Sequence, residues 1–460
     1  MSYTWLLIII PFPPSPAPER QPLRIVVRAA DARIARDTQA ALAAAGVEAA
    51  ALPGAYRTAP DGEDIAIFPA ESANFDNASK LAADAARAEH PPLVSLLALP
   101  QASPLPVGLS APDVFTGALA LDAPAKLLNA QIEACVRVAI AETERARRTT
   151  TANAMGAALP QSIEPRKLKA LYIGAPSAMF LALERALAEQ GGLVAAAFSS
   201  YAGFDHLHDE PFDAVVLNGA QDASTAISLC AALRRNASLY HLPTMMVTAP
   251  GDRATAAAAI ERGACTIVET NASYGPSLGW LFEAVRRERR RRAAEHDVRA
   301  LRDVMGDART GLLKRVPFDT HLARLASDHH HNGRPFALAV LRVTPAPGMR
   351  EPTEQAWTRG FNEIASLAAR LMRETDSGAA IGHDVIAVAL TATDLKGARR
   401  TAERIASVAE CTAFASGDNG TGPLVFEQST VELQPGESGA ALLARALRAL
   451  DLDFIPAETA

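Results

Sequence analysis

Arg373-Glu374-Thr375-Asp376-Ser377-Gly378-Ala379-Ala380-Ile381-Gly382-His383-Asp384-Val385-Ile386 is the stretch on which the reading of this chain turns. An apolar run at 386–390 follows at once. Ahead of it, Phe361, Ile364, Leu367 and Leu371 recur three and four apart, the spacing of one buried helix face. The pattern predicts a helix, a loop and then two strands joined at Gly382-His383. Glycine tolerates positive φ and histidine is among the better non-glycine tolerators, so these two residues are placed at the turn.

The stretch resembles the GGDEF domain of diguanylate cyclases, whose hairpin reads Gly-Gly-Asp/Glu-Glu-Phe where this chain has Gly382-His383-Asp384-Val385-Ile386. The family's opening, Asp-x-Leu-Thr-Gly-Leu-x-Asn-Arg-Arg-x-Phe, is echoed by Asp307-Ala308-Arg309-Thr310-Gly311-Leu312-Leu313-Lys314-Arg315-Val316-Pro317-Phe318. The resemblance fades toward the end, where the family's Ile-Ser-Ile-Gly strand reads Phe426-Glu427-Gln428-Ser429.

Condensing GTP needs Mg²⁺ held by carboxylates, because the metal neutralises phosphate charge during attack. The family places an Asp at the end of its first strand and an acid in the hairpin. Here the first slot falls on Arg342 and the hairpin keeps only Asp384, with Val385 in place of the following Glu. The guanine-reading Asn and Asp are absent from 345–350. His383 replaces a glycine that lets the backbone approach the nucleotide. The residues imply no catalytic site, no metal site and no cofactor.

The family's inhibitory site reads differently. Arg-x-x-Asp ahead of the hairpin binds cyclic di-GMP, and Arg373 and Asp376 keep that spacing, with Arg404 on the next helix completing the trio. A guanidinium forks onto guanine O6 and N7, and a carboxylate accepts from N1–H and N2–H. The bland alternative is a solvated Arg and Asp at a helix end.

At 460 residues, the length suggests about three domains. A net charge of −6 gives no global field for nucleic acid or anionic lipid. Cys135, Cys230, Cys265 and Cys411 lack metal spacing and are expected as buried small hydrophobes in a reducing cytoplasm. The apolar run at 5–10 is too short to span a bilayer, so no integral membrane segment is expected.

Two segments precede the GGDEF-like part, each alternating short apolar strands with amphipathic helices, which argues a parallel doubly wound sheet. The second resembles a response-regulator receiver: Gly263-Ala264-Cys265-Thr266-Ile267-Val268 echoes Gly-Ala-Asp-Asp-Tyr-Leu, and Thr248 ends a strand as the family's Thr does. Its acidic pair falls on Gly174-Ala175, its phosphoacceptor on Asn218 and its Lys on Thr270. In the fainter first copy the acidic pair falls on Arg28-Ala29 and the phosphoacceptor on Pro69, with Asp31 as the lone relic. Without an Asp nucleophile, an acidic pair for Mg²⁺ and a Lys, phosphoryl transfer has no machinery.

The expected fold is therefore α/β: two degenerate receiver-like, flavodoxin-like domains followed by a GGDEF-like α+β domain with a mixed sheet of the adenylyl-cyclase type. The boundaries read as a tail at 1–22, receivers at 23–145 and 167–280 around a partly helical linker at 146–166, a connecting helix at 281–304 and the GGDEF-like domain at 305–456. The basic run Arg286-Arg287-Glu288-Arg289-Arg290-Arg291-Arg292 reads as the solvated face of that helix, and His329-His330-His331 as a solvated turn. Receiver–receiver–GGDEF order resembles proteins of the PleD/PopA type. That resemblance implies a cytoplasmic, polar, cell-cycle effector of cyclic di-GMP that docks protein partners through its receivers, acts as a protease adaptor and forms homodimers. Two other functions stay open: a residual cyclase resting on Asp384, and a ligand-free scaffold.

Overall fold

The computed structural model describes residues 23–53, 63–70, 75–100, 103, 105, 114–159, 166–348, 352–412, 414–415 and 423–452. The apolar run at 5–10, the end of the linker and residues 349–350 lie outside them.

The first unit runs β1 (Ile25–Ala29), α1 (Ala32–Ala44), β2 (Ala50–Pro53), β3 (Ile65–Pro69), α2 (Asp76–Ala86), β4 (Val94–Leu99), β5 (Gly117–Ala120) and α3 (Ala125–Ala154). Its strands pair in parallel in the order β2-β1-β3-β4-β5, the flavodoxin-like order. Helices cover both faces, so β3 and β4 are buried almost throughout and read as continuous apolar runs.

The second unit repeats the design: β6 (Lys169–Ile173), α4 (Ala178–Ala188), β7 (Leu193–Ala197), α5 (Ser200–Asp209), β8 (Ala214–Asn218), α6 (Ala223–Arg235), β9 (Thr244–Thr248), α7 (Arg253–Glu261), β10 (Thr266–Glu269) and α8 (Tyr274–Met305). The order β10-β9-β8-β6-β7, again parallel, is the same when counted within the unit. Ser199, Asp222 and Asp252 cap α5, α6 and α7 by accepting from backbone N–H groups of the first turn.

The third unit comprises α9 (Arg315–Asn332), β11 (Phe336–Pro345), α10 (Glu354–Leu371), β12 (Ser377–Ala380), β13 (Val385–Thr391), α11 (Leu395–Glu410), β14 (Leu424–Glu432) and α12 (Gly439–Arg448). Its sheet order is β12-β13-β11-β14. Every ladder is antiparallel, and the mixed character expected from sequence reduces to one parallel bridge between Leu313 and Ala379. Side chains alternate along β11. Leu338 and Val340 join Phe318 and Leu442 under α9 and α12, while Ala337, Ala339 and Leu341 join Phe361 and Ile405 under α10 and α11. Ala152 of α3 and Leu301 and Met305 of α8 belong to the first of these cores, so both long helices end inside the third unit.

Five details depart from the sequence reading. Neither Gly382 nor His383 has positive φ, because the connection spans the four residues 381–384 and does not need a two-residue primed turn. Residues 146–154 are not linker but the continuation of α3, which packs along α8. The arginine run is not solvated: Arg287 is buried, Arg289 pairs with Asp213 at 2.9 Å and Arg290 with Glu142 at 2.7 Å, since α3 and the second sheet lie against this face. The histidine tract is the last turn of α9, closed by left-handed Gly333 (φ 60°). His329 is buried, stacked on Phe336 with ring centroids 4.8 Å apart, and burial lowers its pKa to about 4. Cys411, finally, is exposed at the end of α11.

Candidate functional site

The cyclase slots come together around β11. Arg342 stands opposite Val385 in the β11–β13 ladder and opposite Glu427 in the β11–β14 ladder. Its Nε donates to Asp384 Oδ2 at 3.4 Å, and Nη1 lies 3.5 Å from Glu427 Oε2. A guanidinium thus occupies the space beside the one retained hairpin carboxylate and neutralises it. Trp357 Nε1 donates to the His383 carbonyl at 2.9 Å and Arg315 Nη1 to the Ile381 carbonyl at 3.1 Å, so the hairpin tip is tied down from α10 and α9. The His383 ring itself is exposed. Val385 and Ile386 are buried as ordinary strand residues.

The receiver slots are filled as well. Asn218 donates from Nδ2 to the Ala175 carbonyl at 2.9 Å and accepts from the Ala220 N–H at 3.2 Å. A side chain at Gly174 (φ 131°) would stand 2.8 Å from the Asn218 Cβ, so an acidic residue has no room there. In the first unit Arg28, at the acidic-pair slot, is buried against Glu63 at 2.8 Å. Pro69 closes β3 without an acceptor side chain. Asp31 is the N-cap of α1, accepting from the Arg33 N–H at 2.6 Å.

The Arg373–Asp376 turn lies where α10 ends. Arg373 and Arg404 are both exposed, and Arg404 Nη2 donates to the Leu371 carbonyl at 2.9 Å, which brings the two guanidinium-bearing residues to the same end of α10. Asp376 is not beside them at the surface. It is 5 % exposed, accepts the Arg373 backbone N–H on Oδ2 at 3.1 Å, and leaves Oδ1 buried without a hydrogen bond. Burial is the main reason its pKa rises to about 6, opposed by Arg373 and reinforced by the charge of Glu144.

Behind the turn lies a buried ionic cluster that the sequence reading missed. Arg148 of α3 pairs with Glu144 at 2.8 Å and donates to the carbonyls of Val298 on α8, Glu374 and Asp376, at 3.1, 2.9 and 2.8 Å. Glu144 also meets His321 Nε2 of α9 at 3.1 Å, while His321 Nδ1 meets Thr151 Oγ1 at 3.2 Å. The Glu144 carboxylate is held down to about 2 despite full burial, by His321 and Arg148. One guanidinium therefore joins all three units at the Arg-x-x-Asp turn. The only sequence trace of it is a Glu and an Arg four apart, astride the boundary placed between the first receiver and the linker.

No family model and no curated protein matches the chain. Among solved structures it is similar to the GGDEF domain of DgcB from Caulobacter crescentus in complex with c-di-GMP, at 24% identity over 32% of this chain and 85% of that one, with a TM-score of 0.27. It is similar to the FimX GGDEF domain from Pseudomonas aeruginosa, at 18% identity over 32% and 91%, TM-score 0.28. A putative response regulator from Chloroflexus aurantiacus J-10-fl matches at 20% identity over 26% and 98%, TM-score 0.25. These are distant likenesses of fold. No helix among the described residues is long and apolar enough to cross a membrane.

Proposed function

We propose that the chain is a non-catalytic effector that binds cyclic di-GMP through Arg373 and Arg404 and transmits occupancy to protein partners through its receiver-like units. The observation that carries the reading is an asymmetry within one unit. Arg342 neutralises Asp384 where a cyclase would need a metal, whereas two exposed arginines, Arg373 and Arg404, lie at the same end of α10. Paired guanidiniums suit the O6/N7 edge of guanine and the phosphates of a cyclic dinucleotide. Asp376 serves here by closing the turn rather than by touching the ligand. Docking of substrates for a protease at the cell pole follows from the resemblance to the PleD/PopA type.

Isothermal titration of the full chain with cyclic di-GMP is the test, with heat expected for the wild type and none for Arg373→Ala. Silence of the wild type at tens of micromolar ligand overturns the reading. Product from GTP and Mg²⁺ that disappears in Asp384→Ala would instead establish a residual cyclase. The burial of Asp376 favours a second reading, a scaffold without ligand. Partner binding that ignores both nucleotide and Arg373→Ala would distinguish it.

A further inference from the structure

A cleft of about 500 Å³ opens between the first and second units, within the size range of small-molecule sites. One side is α3; the other is formed by the C-terminal ends of α6 and α7 and the chain leading into β9, with α8 between them. Seven Lys or Arg side chains line it against two Glu, on a chain whose net charge is −6. Some of these cations are structural: Arg287 is buried beside Glu283 and Cys135, and Arg234 donates to the carbonyls of Tyr240 and Leu242. Arg235 and Arg262 are different. Both are exposed and have no ion-pair partner among the described residues.

Across from them stand Lys126 and Arg137 of α3, whose acidic partners, Glu261 and Glu133, are themselves exposed and solvated. Helix C-termini attract cations and account for Arg235 in the last turn of α6 and Arg262 at the C-cap of α7, but not for the basic residues on the facing helix. His241 reports the local potential: burial first, then the charges of Arg292 and Arg291 against Glu288, lower its pKa to about 4. Apart from Gln131 and His241 the rest of the lining is largely apolar, including Leu127, Ala134 and Leu242, and the Tyr240 ring is half exposed at the rim. Cations around an apolar floor beside an aromatic ring suit a ligand with a flat ring system and a phosphate.

We propose that this inter-unit cleft binds a nucleotide, its phosphate held by Arg235 and Arg262 and its base lying along Tyr240 and the apolar wall. The site is separate from the Arg373–Arg404 surface and does not depend on its occupancy. The test is isothermal titration of the full chain with ATP, GTP and pyrophosphate at low salt, in the wild type, Arg235→Ala/Arg262→Ala, Tyr240→Ala and Arg373→Ala. At least one nucleotide is expected to bind more tightly than pyrophosphate. Its affinity should fall about tenfold for each cation removed, since a charge-assisted hydrogen bond is lost each time. Tyr240→Ala should weaken the nucleotide alone, and Arg373→Ala should change nothing. Absence of binding by all three probes, binding untouched by the double arginine variant, or nucleotide binding no tighter than pyrophosphate overturns the proposal.

Discussion

Replacing Asp376 by Asn isolates the charge of a buried carboxyl while keeping its shape. In the folded chain Asp376 titrates at about 6, against an ordinary value of 3.8, mainly because burial penalises the anion. A raised carboxyl pKa means that folding favours the protonated form. Below about pH 4 the group is protonated in both states and costs nothing. As pH rises toward 6 the unfolded chain ionises first and the folded state loses stability, and above 6 the full penalty is in place. A shift of about two units corresponds to about 3 kcal/mol. Asparagine retains an oxygen to accept the Arg373 N–H but buries an amide whose own unmet hydrogen bonds cost about 1–2 kcal/mol. The net expectation for Asp376→Asn is a gain of about 1–2 kcal/mol at pH 8 that reverses to a loss of about 1–2 kcal/mol below pH 4, where the amide cost stands alone. Hydrogen exchange of β12 and β13 amides, read at matched pH in both proteins, reports the stability of this unit without assuming that three units unfold together. Exchange about tenfold slower in the variant at pH 8, crossing to faster exchange than the wild type at low pH, is the expected result. Faster exchange at pH 8, or a difference independent of pH, would refute the argument that Asp376 is a strained interior acid.

Arg148→Met leaves buried Glu144 with His321 but without its guanidinium partner and strips donors from three carbonyls, so about 3–5 kcal/mol should be lost, with protease sensitivity appearing where α3, α8 and the 373–376 turn meet. Gly360→Ala places a Cβ 1.3 Å from the Phe414 ring, an overlap that only displacement of the ring relieves; a loss of about 1–3 kcal/mol in thermal unfolding is expected.

The hairpin and its flanking elements were legible because their signals are local. Residues three and four apart fix the buried face of α10, and the continuous apolar run of β13 marks a strand buried on both faces. The alternation of strands and helices likewise gave the two parallel sheets. Short strands such as β2 and β5, four residues each and partly alanine, carry too little pattern to be read alone and exist because the sheet beside them supplies their ladder. That an Arg, an Asn or a Pro stands where the resemblance expects an acid was also legible, since residue identity needs no coordinates.

Where each charge goes could not be read from the sequence. The spacing of Arg373 and Asp376 is the same whether the carboxylate faces a ligand or the interior, and the choice is made by Arg148, more than two hundred residues earlier in the chain, which grips the turn from behind. The arginine run and the histidine tract were misplaced for the same reason. Sequence periodicity reports which side of an element is apolar, but whether a polar side meets water or another unit is set by long-range packing. The chain itself therefore determined two parallel α/β units followed by an α+β unit. Only their docking along α3 and α8 decided which ionic groups are buried, which pair, and which stay at the surface.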